Sequence, residues 1–198
     1  MTDISSVVRG VEGLEFDEKL RFGALLLVRY CNIHHDPRFS PWFEQDRDAL
    51  ARVSEVALKL ARAETGQVDL DGPYEALDQA LEASDPEGPP FEAEIVDHMV
   101  FATEVLDFLR DPGEVENLTC ALERADELAE AHYEMIREVA DADTELVDFS
   151  SMEAELRGLD MLAFMNPEGA LVRSESFSQA YSSVIRSYYS DADAGISD

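Results

Sequence analysis

Four histidines, His34, His35, His98 and His132, are the side chains best suited to acid–base or metal chemistry near neutral pH. Imidazole and carboxylate ligands together suit zinc or iron, and helical bundles host such sites. A metal site would have to join His34, His35 or Asp36 to Asp97, His98 and His132. The spacing opposes it. Glu94 and His98 share a helix face at i, i+4, but the chain has no HExxH, no paired ExxH and no CxxC. If the helices bearing His98 and His132 form an antiparallel hairpin, His98 lies level with Asp126, about 9 Å along the axis from His132. That is too far for one ion. The expected arrangement is therefore two hydrogen-bonded core histidines, His98 and His132, and an exposed loop pair, His34 and His35, with no metal and no other cofactor.

Arg29 is the second unusual group. It ends a strongly apolar stretch, so its guanidinium needs a carboxylate or free carbonyls around it. Asp97 is the expected partner. The line Glu94, Asp97, Glu104, Asp107 could supply paired carboxylates for acid–base work, and equally reads as a solvated strip. No GxSxG, P-loop or Gly-rich dinucleotide turn accompanies these residues. Low-level chemistry at Arg29, His34, His35, Asp97, His98 and His132 is all that the residue types leave open.

The element that must position them is the stretch Glu92 to Arg110. Ile95, Met99, Ala102, Leu106 and Leu109 recur at helical spacing, with Phe101, Val105 and Phe108 on another side, which predicts a central helix covered by neighbours. Asp111-Pro-Gly-Glu114 reads as a capping box opening a long helix to about Ala140. The seam of that helix, Val115, Leu118, Leu122, Ala125, Ala129, His132, Ile136 and Val139, faces the central one across a tight turn.

Before this hairpin, residues 1–14 read as a flexible arm. A buried helix then runs from about Asp17 to Tyr30 or Asn32. A loop follows, clamped by Phe39, Trp42 and Phe43. Asp46 is expected to cap a second helix that stops near Gly66. Gly72-Pro73 opens a short third helix, and residues 84–90 form a turn-rich joint. After Asp141, Ser150 with Glu153 reads as a capping box, with Met152, Leu156, Leu159 and Ala163 on the packed side. Asn166-Pro-Glu-Gly169 reads as a break, and Ser176 with Gln179 opens another helix bearing the docking stripe Phe177, Tyr181, Tyr188 and Tyr189. The expectation is an all-α, multi-helix bundle over 15–140, C-terminal helices packing on it over 141–189, and a disordered tail at 190–198.

Forty-four acidic residues against 15 basic ones give a net charge of −29. Such a surface repels phosphates and anionic lipid, which excludes direct nucleic-acid binding and membrane-surface binding. The acid excess fits halophilic adaptation, a compositional bias of a GC-rich genome, or a functional role as a nucleic-acid mimic or a lure for a basic partner. MTDISSVVRGVEG lacks a basic start and an apolar core, the run Ala24–Val28 is too short for a bilayer, and Cys31 and Cys120 read as reduced packing thiols. A cytoplasmic protein is expected.

The order of these features carries a resemblance. It comprises a buried first helix with Arg29 and Asn32, an aromatic loop ending in Phe43, the link Val68-Asp-Leu-Asp71, the helix IVDHMVFATEVLDFL, and a long Pro-Gly-turned helix ending in AHYEM. This pattern, over about residues 15–140, resembles the YjaG-like family of bacterial proteins. The resemblance implies an all-helical fold and brings no catalytic signature. Function is expected to be that of a non-enzymatic interaction module binding another protein or forming a homodimer. The alternatives are a small metal-binding or hydrolytic bundle using Asp97, His98 and His132, and an acidic inhibitor or nucleic-acid mimic.

Overall fold

A computed structural model describes residues 3–35, 44–63, 68–84, 92–139 and 146–194. The helices of these residues are α1 (Ile4–Glu12), α2 (Phe16–Tyr30), α3 (Glu44–Ala61), α4 (Asp71–Ala83), α5 (Glu92–Arg110), α6 (Val115–Val139), α7 (Phe149–Asp160) and α8 (Pro167–Ala194). Short 3-10 turns follow α2 at Cys31–His35 and precede α8 at Ala163–Met165. No strand occurs among the described residues, and the architecture is an all-α bundle. No helix among them is long and apolar enough to cross a membrane. The expected aromatic clamp of Phe39, Trp42 and Phe43, the joint at 85–90, the stop at Gly66 and positions 195–198 lie outside the described residues.

α2 and α5 form the centre. Every residue of α2 from Phe22 to Tyr30 is buried, and α2 packs against α3, α5 and α8. Such all-round burial follows from its unbroken apolar run, which leaves no polar face for water. α5 spans the expected residues and buries Ile95, Met99, Ala102, Leu106 and Leu109 together with Phe101, Val105 and Phe108. The second group is covered by α2. Phe101 meets the Tyr30 ring edge-on, with centroids 5.1 Å apart. A Cβ at Gly23 would stand 2.8 Å from Leu109 and 3.2 Å from Phe108, so glycine permits the close crossing. The α5–α6 pair is the expected hairpin, with Glu104 and Arg124 facing across it at 3.9 Å. Its far end is tied to α4, where Arg110 reaches Asp71 at 2.9 Å and stacks over Tyr74.

Several local expectations are corrected. Of the expected flexible arm at 1–14, the described residues 3–14 are not loose: α1 is capped by Asp3 and buries Val7 and Val11 against the bundle. Gly10 lets it approach Met161, whose sulfur would lie 2.3 Å from any Cβ there. Asp111 does not cap α6 from the first turn. It closes a tight turn through Gly113 N–H and Glu114 N–H, and the helix starts at Val115. Asn166 separates the stretch ending at Met165 from α8, the expected break, but Asn166-Pro-Glu-Gly169 also opens the next helix at once. The Asn166 side chain accepts from Gly169 N–H at 3.0 Å and proline takes the first helical position, where no N–H is needed. α8 therefore runs through Ser176, whose hydroxyl simply bonds the Val172 carbonyl. It reaches Ala194, beyond the expected start of a disordered tail. Cys31 is buried, but Cys120 is exposed, because it lies across α6 from the Leu118–Leu122 seam.

α7 departs furthest. Asp148, not Ser150, is its N-cap, accepting from Ser151 N–H at 2.9 Å. The expected packed stripe is divided: Leu156 and Ala163 are buried, while Met152 is 37% and Leu159 39% exposed. The fully buried side of α7 carries Glu153, Arg157 and Asp160 instead.

Candidate functional site

Glu153, Arg157 and Asp160 stand at i, i+4 and i+7, one stripe of α7. That stripe faces the end of α2, where Arg29 and Tyr30 are fully buried. Arg29 Nη1 donates to Glu153 Oε1 at 2.7 Å and Nη2 donates to Asp160 Oδ2. Arg157 Nε donates to the same Glu153 Oε1 at 3.0 Å. Its Nη2 donates to the Leu122 carbonyl at 3.2 Å and reaches Asp126 at 2.8 Å, at the rim. The Tyr30 hydroxyl shares its proton between Glu153 Oε2 at 3.2 Å and the Ala125 carbonyl at 3.3 Å. Two guanidiniums and two carboxylates thus neutralise each other inside the protein, and the fifth charge, Asp126, meets water.

Burial pushes the Glu153 carboxyl up, but Arg29 and Arg157 outweigh it and hold the group below its ordinary range. Burial lowers Arg29, against the attraction of Glu153. For Arg157, burial is outweighed by Glu153 and Asp126, and its pKa rises. Arg29 Nε and Asp160 Oδ1 find no partner, and each unmade bond in the interior costs about 1–3 kcal/mol. The cluster is thus a costly way to fill space, and it fixes how α7 lies on α2.

The histidines form a second buried group one turn away. His98 Nδ1–H donates to the Glu94 carbonyl at 2.5 Å, leaving Nε2 to accept from the Tyr181 hydroxyl at 2.9 Å. His132 Nδ1–H donates to the Leu128 carbonyl at 3.1 Å, and its Nε2 has no partner. The His132 and Tyr181 rings stack at 3.6 Å. Phe149 and Tyr30 meet them edge-on, and Phe177 stacks on Tyr181. The two histidines are closer than the expected axial separation, with ring centroids 6.2 Å apart. Side chains tilt toward the N-terminus of their helix, so in an antiparallel pair these two lean toward each other. Burial lowers the His98 pKa from 6.5 to about 4, against the bond to Glu94. Burial and the proximity of His98 lower His132 well below its usual value.

The favoured Asp97–Arg29 pair does not exist. Asp97 is on the exposed side of α5, where partial burial raises its pKa against Arg124. Glu104, on the same line, is likewise raised by burial and opposed by Arg124. No group of three or more His, Cys, Asp or Glu able to hold a metal occurs among the described residues. The side chains of His34 and His35 lie outside them. Asn32 has a structural role: it donates to Ser178 at 3.0 Å and accepts from Ser54 at 2.6 Å, tying the turn after α2 to α8 and α3. Glu153, Arg157, Asp160 and Tyr181 were not recognisable as partners of Arg29 and His98 by motif. Their only signal was the i, i+4, i+7 recurrence of opposite charges in a helix that also carried an apolar stripe.

Chemically, these clusters hold charge and neutral imidazole away from solvent. Clefts that do open on the described surface, at α3–α4, around Gly72 and between α3 and α8, are lined by other residues. No family model, characterised protein or solved structure matches the chain.

Two outcomes follow for stability. Glu153→Gln keeps the shape but leaves two buried arginines under-compensated, and unfolding in urea should reveal a loss of about 3–5 kcal/mol. Asp97→Lys should change stability by no more than about 0.5 kcal/mol. Equal losses in the two variants would overturn the assignment. The second outcome concerns pH. In the unfolded chain His98 takes a proton near pH 6.5, while the folded chain resists until about pH 4. Between these values the unfolded state binds more protons, so this residue's contribution is complete above pH 6.5 and drains as pH falls, by about 3 kcal/mol. His132 on α6, also lowered by burial, adds to the effect. The stability difference between wild type and His98→Gln, followed from pH 7 to pH 4, should therefore change in favour of the variant.

Proposed function

We propose that the chain is a non-enzymatic protein-interaction module whose docking surface is the outward face of α7 and its joint to α8. One observation carries the reading: α7 turns Glu153, Arg157 and Asp160 inward with Phe149 and Leu156, and leaves Met152 and Leu159 outward. Met152 and Leu159 sit on that outer face. Directly after them come Leu162, 53% exposed, Phe164, 50%, Met165, 73%, and Val172, 54%. Phe16, at the start of α2, is exposed as well. Scattered exposed apolar residues need no explanation, but a contiguous group on a strongly charged protein marks an interaction site.

The groups suited to catalysis support the same reading from the other side. His98 has both nitrogens engaged, His132 is 1% exposed, and the buried ions are committed to each other. A metal-binding or hydrolytic site at Asp97, His98 and His132 has no comparable support, since Asp97 lies on the exposed side of α5, away from the buried pair. With this reading we place the protein in the cytoplasm, where Cys31 and Cys120 remain thiols. We take its acid excess as salt adaptation, and the YjaG-like resemblance over residues 15–140 as a relationship of the bundle to that uncharacterised family.

The test is chemical cross-linking of the full chain and of Phe164→Asp/Met165→Asp at equal concentration, alone and in cell extract, with circular dichroism as a check on folding. Wild type should cross-link, to itself or to another protein, and the variant should lose that product. Identical patterns for both proteins would overturn the reading.

A further inference from the structure

The exposed apolar face does not stand alone. Beside it, Ala61, Arg62, Pro167, Glu168, Leu171, Val172 and Glu175 line a cleft between the end of α3 and the start of α8. Met165 and Phe164 project from the chain just before Pro167. A protruding apolar group therefore sits beside a cleft whose wall combines Ala61, Pro167, Leu171 and Val172 with charged side chains.

The charge of this face is also unlike the rest. Between Met161 and Ser183 the acids are Glu168 and Glu175 and the base is Arg173, so these 23 residues carry a net charge of −1 in a chain of −29, and Arg62 stands at the same cleft. A strongly basic partner would be drawn to the acidic remainder of the surface, not here. Two copies of this chain repel almost everywhere else, and this is where their contact costs least.

We infer that the occupant of the α7–α8 face is a second copy of the same chain, joined by a two-fold axis that seats Phe164 and Met165 of each copy in the α3–α8 cleft of the other. The inference rests on the docking surface proposed above and names its partner. Because the projection and the cleft belong to one face, the contact is self-complementary and closes at two copies, where a projection and cleft on different faces would build a filament. The cleft also carries both signs. With Arg62 against Glu168 and Glu175, the cleft presents no single-sign barrier to a second copy.

The salt dependence separates this partner from a basic one. Long-range repulsion between two acidic chains is screened as the Debye length falls from about 30 Å at 0.01 M to about 3 Å at 1 M salt, while the apolar contact persists. Dimerisation tightens with salt, whereas capture of a basic protein loosens.

Sedimentation velocity of the full chain, in about 0.05 M and about 1 M KCl, tests this, with circular dichroism of the same samples. The dimer dissociation constant should fall by about tenfold or more at the higher salt, an effect of about 1.4 kcal/mol. Met165→Asp and Val172→Asp, both at exposed positions, should remain folded and monomeric in both solutions. A folded wild type that stays monomeric in 1 M KCl at about 100 μM, well above the micromolar scale of a standard-size interface, overturns the inference. So does a dimer indifferent to both substitutions. If the chain is monomeric yet Phe164→Asp/Met165→Asp abolishes a cross-link to another protein, the docking surface stands and only the second copy is rejected. If no cross-link depends on those residues, both fail.

Discussion

Arg29 is buried at the end of an apolar helix, and much of the C-terminal half is arranged to neutralise it. A guanidinium without a counter-charge in that place would cost several kcal/mol. α7 supplies Glu153 and Asp160, and Arg157 then balances the second carboxylate and reaches outward to Asp126. This four-charge arrangement fixes the rotation of α7 about its own axis. The inner face of the helix combines Glu153, Arg157 and Asp160 with Phe149 and Leu156, and the requirement of Arg29 turns it so that Met152 and Leu159 are left outside. Burying an ion cluster is seldom the most stable solution. Its use here is geometrical: carboxylates at i and i+7 meet one guanidinium in a single register, which apolar contacts would not specify as tightly.

That selection has a consequence on the outside. Because the charged stripe is inward, Met152 and Leu159 cannot reach the core, and with Leu162, Phe164 and Met165 they form an apolar surface. The docking face is thus the reverse side of the same helix that satisfies Arg29. α8 completes the enclosure from the other direction. Phe177 and Tyr181 close the aromatic group around Tyr30, and Tyr181 takes the lone pair of His98. Ala170, Ser174, Ser178 and Ser182, at every fourth position, keep the buried side of α8 narrow.

How much of this was legible in the sequence follows from which forces are local. The span of α5, its pairing with α6 and the covered sides of both were readable, because apolar period and a short turn determine them within one stretch. The burial of Arg29, His98 and His132 was readable for the same reason. Their partners were not. Asp97 is near in sequence pattern and Glu153 is 124 residues from Arg29, and nothing in the local spacing announces a long-range pair. Glu153 was also disguised, since Ser150 and Glu153 fit a capping box while Asp148 does the capping. Apolar periodicity read α7 in part: Leu156 and Ala163 are buried, but Glu153, Arg157 and Asp160 take the rest of the inner face and leave Met152 and Leu159 outside. α1 was missed because nine residues with only two fully buried valines give little periodic signal.

The orientation of α7 is the claim on which the buried cluster, the docking face and the proposed function all depend. Methionine oxidation reads it directly, because the thioether reacts according to its exposure. Native protein treated briefly with dilute peroxide and digested for mass spectrometry compares Met99, fully buried on α5, with Met152 on α7 and Met165 beyond it. The account predicts that Met165 and Met152 oxidise readily while Met99 remains protected. Protection of Met152 equal to that of Met99 would mean that the apolar stripe of α7 faces the core, and it would contradict the account.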